Sequence, residues 1–133
     1  MRILKVVAPG ALLLGLAAGL VFVRADETPT LSIKQVMDQA HKGPKGVKDA
    51  PSLFKKIAED KGSDEDKKKL VELYTALAAD HPKMNDDDDW KTRTEAMVAA
   101  AKEVEAGKDG GVDALKKAVD CKGCHELHRP PTR

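Results

Sequence analysis

The chain has 133 residues, 23 Lys or Arg against 22 Asp or Glu, and a formal net charge of +1, which excludes the clear basic excess of a nucleic-acid binder. Two Phe, one Tyr and one Trp are its only aromatic residues, so a core made from its own side chains is mostly Ala and Leu and is small. The two cysteines lie together near the C-terminal end rather than being spread as a disulfide framework.

The chain starts with a short charged segment containing Arg2 and Lys5, and Val6 to Val23 follow as 18 residues without charge. Val23-Arg24-Ala25 then precedes the acidic pair Asp26-Glu27. This is the pattern of a secretory signal over residues 1–25, cleaved after Ala25, with an exported or periplasmic destination. The competing expectation is an uncleaved membrane anchor, because a stretch of this length just spans a bilayer; Pro9, Gly10, Gly15 and Gly19 weaken such a helix. Residues 26–133, about 108 in number, are one domain by length.

Beyond the leader the apolar spacing is helical throughout, and no stretch alternates as a buried strand does. Thr30 or Ser32 caps a first helix whose Ile33, Val36, Met37 and Ala40 share one face, and Gly43-Pro44-Lys45-Gly46 loosens it. Pro51-Ser52 opens a short segment with Leu53, Phe54, Ile57 and Ala58 on one side, closed by Gly62. Ser63 caps the next helix, with Asp64, Glu65 and Asp66 in its first turn, where carboxylates complement the helix dipole. Leu70, Leu73, Tyr74 and Leu77 form its stripe, and His81-Pro82 ends it. His81 reads as solvated.

Asp86 to Asp89 invites comparison with a calcium loop, but an EF-hand alternates its ligands around a Gly and ends on a distal Glu. The run reads instead as a solvated complement to the dipole of the helix that follows, from Trp90 to Ala106, with Trp90, Met97, Ala101 and Val104 on one face. Gly107 and Gly110-Gly111 end that helix. A last helix is expected from Val112 to Leu127, carrying Leu115, Ala118 and Val119, and Pro130-Pro131 stops it. Four main helices with short connections imply an all-α, antiparallel four-helix bundle.

The last helix contains Cys121-Lys122-Gly123-Cys124-His125, which reads as a covalent c-type haem attachment site. In that chemistry Cys121 and Cys124 form thioethers with the haem vinyl groups, and His125 takes the iron from one side. On a helix the three are at i, i+3 and i+4 and share a face. A haem would also be a large apolar plate for a core short of aromatics. A redox dithiol and part of a structural zinc site are the other readings. The dithiol lacks a βαβ context, and His41, His81 and His128 supply no second ligand pair at zinc spacing.

With this layout and a C-terminal motif, the chain resembles the class II c-type cytochromes, the cytochrome c′ group. That family continues its motif as C-x-x-C-H-x-x-aromatic-Arg; here Arg129 matches and the aromatic position is His128. The resemblance spans residues 31–129 in layout, and only the final motif is specific in residue identity. It implies one covalent haem c, held near one end of the bundle, and either a five-coordinate iron shielded by the first helix or a six-coordinate iron with a ligand from it. Counting along that helix from Ile33-Lys34 to the family's distal position lands on Ala40, next to His41. His41 is the first choice of distal ligand, Met37 the second and an open site the third. His128 lies on the same side of the haem plane as His125 and is not an opposite ligand. Lys34, Lys42, Lys122 and Arg129 are the cations considered for the haem propionates.

The function expected is single-electron transfer between redox partner proteins rather than enzymatic turnover, with membrane association only if the leader is retained and a homodimer compatible with the layout. The alternative is a five-coordinate haem protein that binds NO or CO. A non-haem dithiol or metal-binding helical protein is the third reading.

Overall fold

The computed structural model describes residues 31–84 and 87–131; the expected leader lies outside them. The described chain is all-α, with α1 Ile33–His41, α2 Leu53–Ala58, α3 Asp64–Ala79, α4 Asp87–Glu105, α5 Gly111–Ala118 and α6 Cys121–His128. No strand occurs among the described residues, and none of their helices is long and apolar enough to cross a membrane.

Serine hydroxyls start the first three helices. Ser32 accepts from the Gln35 amide while the Gln35 side chain accepts from the Ser32 amide, and Ser63 and Asp66 repeat the arrangement at α3. Ser52 caps α2 through the Lys55 amide. Each such cap contributes about 1 kcal/mol by satisfying an amide that has no helical partner.

Asp80, the residue after α3, joins three helices. One of its carboxylate oxygens accepts from the Ile33 amide at 3.0 Å, fixing the start of α1. Its carbonyl accepts from Trp90 Nε1 at 2.8 Å, fixing the first turns of α4.

α3 lies against α1, α2 and α4, and α4 also carries α5 and α6. Leu70, Leu73, Tyr74 and Leu77 of α3 are all buried, facing Val36 and Ala40 of α1 and Trp90, Met97, Ala101 and Val104 of α4. Ile57 and Leu115 complete the core from α2 and α5. The expected stripes of α3 and α4 are buried, with Thr94 and Ala100 added on α4, whereas Ile33, Met37, Leu53, Phe54, Ala118 and Val119 are partly buried at the margin of the core and Ala58 is only partly buried. Thr94 is tolerated there because its hydroxyl donates to the Trp90 carbonyl at 2.8 Å.

Two boundaries differ from expectation. α4 begins at Asp87 rather than Trp90, so Asp87, Asp88 and Asp89 form its first turn and meet the positive end of its dipole. The expected helix from Val112 to Leu127 is two helices, α5 and α6, separated by Val119 and Asp120 at ψ 75° and 82°. Its start is set by Gly110, whose φ of 77° lies in the left-handed region open to glycine.

Leu73 is completely buried, so Leu73→Ala should cost about 2–5 kcal/mol and shift the urea midpoint accordingly. Val47 is 58% exposed, and Val47→Ser should stay within about 0.5 kcal/mol of the parent.

Candidate functional site

The break after α5 gives the C-x-x-C-H run a helix of its own. α6 starts at Cys121, so Cys121, Cys124 and His125 project from its first two turns, and all three line one apolar-walled cleft. α1 contributes Met37 and His41 to that cleft, α3 contributes Leu77, α4 contributes Arg93 and Met97, and Ala118, Val119 and Asp120 close its end. Residues far apart in the sequence, Met37 and His41 on one wall and the cysteine-histidine run on another, thus meet in one place.

His41 is at the wall of this cleft rather than free at a frayed helix end. Its ring lies 5.3 Å from that of Phe54 and is stacked at 5.8 Å and 18° on Tyr74. Burial, aided by the nearby His125, pushes its pKa below the usual imidazole value, which favours the neutral ring. Tyr74 is itself fully buried, and burial pushes its phenol up. The phenol therefore keeps its proton, and its oxygen is in hydrogen-bond contact with His41 Nε2 at 3.3 Å.

Burial likewise pushes the Cys124 thiol up, outweighing the attraction of Arg93. A catalytic dithiol is activated in the opposite sense, by stabilising its thiolate. Cys121 stands exposed beside it. Among the described residues no group of three or more His, Cys, Asp or Glu is gathered as a metal ion requires, so the zinc reading lacks its ligand set.

The other candidates fall elsewhere. His81 is exposed, 3.9 Å from Asp87. His128 is buried outside the cleft and edge-on to Trp90 at 5.3 Å, so it occupies an aromatic packing position as an imidazole. Lys34, Lys42, Lys122 and Arg129 do not line the cleft; Lys42 pairs with Asp38, and Lys122 and Arg129 border a shallow outer depression beside His125. The cation at the cleft is Arg93, which the sequence reading passed over. The Asp89-to-Arg93 spacing of a helical ion pair was its one available signal.

The donor set suits a haem: two thiols and an imidazole from α6, apolar side chains beside them, and a further imidazole and a thioether from α1 lining the same cleft.

Gly123, inside the motif, is required by the cap of α6. The Asp120 carboxylate folds over it and accepts from its amide at 3.0 Å, so a Cβ on residue 123 would collide with that carboxylate. Gly123→Ala should displace the cap, and that loss of about 1 kcal/mol should cancel the helical preference for Ala and leave the stability in chemical denaturation close to the parent's. In an Asp120→Ala background the same change should be stabilising, because only the preference of a helix for Ala over Gly, about 1 kcal/mol, remains.

Comparison of this chain with protein-family models, with curated proteins and with solved structures gives no match in any of the three.

Proposed function

We propose that the protein is a mono-haem c-type cytochrome that passes single electrons between partner proteins. The observation that carries this reading is the convergence of Cys121, Cys124 and His125 with Met37 and His41 on one apolar cleft. In this reading α1, α3, α4 and the α5–α6 pair are the arms of an antiparallel four-helix bundle of the cytochrome c′ kind. Cys121 and Cys124 hold the haem as thioethers, and His125 binds the iron. When bound, the haem supplies the one-electron chemistry, its potential set by axial ligand, burial and hydrogen bonding.

The chain's own residues divide the remaining work. Leu77, Met97, Ala118 and Val119 exclude water from the cleft and lower its local dielectric. Arg93, already engaged by Asp89 and Asp120, places a compensated cation at its edge. His41 offers a neutral imidazole from the opposite side, at the cost of releasing the Tyr74 hydroxyl, about 1 kcal/mol for an ordinary hydrogen bond.

That hydroxyl also favours a second reading. If Tyr74 keeps His41 Nε2 engaged, His41 would not be available as a ligand, and a haem held by Cys121, Cys124 and His125 would be able to take a diatomic gas.

Covalent attachment predicts that the haem of the protein from its native host stays with the polypeptide through acid-acetone extraction, and that joint replacement Cys121→Ala and Cys124→Ala leaves little holoprotein. Haem that extracts freely contradicts the assignment.

His41 ligation predicts a low-spin ferric spectrum that His41→Ala turns high-spin and open to carbon monoxide, while Met37→Leu leaves it low-spin. A high-spin parent that Tyr74→Phe turns low-spin would instead show that Tyr74 holds His41 away, and would put gas binding first. Loss of the low-spin form in Met37→Leu alone assigns the ligand to Met37.

A further inference from the structure

α6 has only eight residues, too few to persist as an isolated helix, and it carries just one fully buried side chain, His128. Little apolar burial is available to hold it. Its side-chain anchorage is polar instead. His128, with 2% of its side chain exposed, places Nε2 at 2.8 Å from an Asp89 carboxylate oxygen of α4, and its Nδ1 lies 3.3 Å from the Met84 carbonyl. An ionised carboxylate only accepts, so Nε2 carries the hydrogen and donates to Asp89. The same Asp89 carboxylate also accepts from Arg93 Nε at 2.7 Å.

The same network reaches the other end of α6. Arg93 Nη1 lies 3.4 Å from Asp120 Oδ2, and Asp120 Oδ1 caps the Gly123 amide. One arginine and one carboxylate on adjacent turns of α4 therefore hold α6 at its last residue and at its first.

We propose that Asp89 and His128 are positioning residues for the Cys121-Cys124-His125 run: their buried hydrogen bond locks α6 onto α4 and thereby fixes how those three side chains face the cleft. The proposal rests on the haem-site reading only for what is positioned; the lock itself belongs to the polypeptide. A phenyl ring at residue 128 would fill the same space against Trp90 but would remove the Nε2 donor and leave Asp89 to Arg93 alone, so the hydrogen bond rather than the ring shape is the element that locks.

Amide hydrogen exchange of the full chain as purified tests this, with residues 121–129 compared against α3. Asp89→Asn and His128→Phe should each speed exchange in 121–129 by roughly tenfold, the scale of losing one hydrogen bond to a charged group, with α3 unchanged. The double variant should be no faster than the faster single. Unchanged exchange in 121–129, equal acceleration in α3, or effects that multiply in the double variant each overturn the proposal. Ring nitrogen-15 resonances of the parent protein supply a second check at neutral pH: a protonated Nε2 on His128 is expected, and a bare Nε2 overturns it. A chain that carries no haem but shows the coupling contradicts the proposed function and leaves the lock standing; a haem protein without the coupling does the reverse.

Discussion

Val119 and Asp120 leave the helical region at ψ 75° and 82°, and the orientation of the cysteine-histidine run follows from that turn. A continuous helix would carry residues 121–125 along the axis of α5, whereas the turn lets Asp120 begin a new helix with its own carboxylate over Gly123. The new helix is short and owes its place to α4. What faces α1 across the cleft is therefore decided by a cap, a glycine that admits the cap, and a charged contact with α4.

This arrangement divides the protein into two regimes. α1, α3 and α4 are joined by apolar burial around Leu73, Tyr74 and Leu77 and pinned by Asp80, and they form the rigid part. α6 rests on polar contacts whose net worth is modest, because each exchanges hydration for a protein partner. A helix held in this way opens at less cost than one built into the core.

Much of the fold was legible in the sequence because its cause is local. Ser32, Ser52 and Ser63 announce helix starts, and the stripe from Leu70 to Leu77 repeats at helical spacing. The break at Asp120 was not legible, because Leu115, Ala118 and Val119 keep the helical period up to it and the capping role of Asp120 competes with that period. The cysteine-histidine run and its opposite wall were readable as residue types, while their meeting depends on packing. Arg93 was missed because its partners are set by tertiary structure: Asp120 is 27 residues away. The same holds for His128, 39 residues from Asp89, and for the Tyr74 hydroxyl on His41, 33 residues away. Such contacts leave no periodic trace in the chain.

The central claim is that Cys121 and Cys124 carry a haem through covalent bonds. Mass spectrometry of the denatured protein from its native host, followed by peptide mapping, tests it most directly. The account predicts a polypeptide heavier by one haem, with the added mass on the peptide containing Cys121 and Cys124. A mass equal to that of the polypeptide alone, with both thiols free to alkylate, would contradict it.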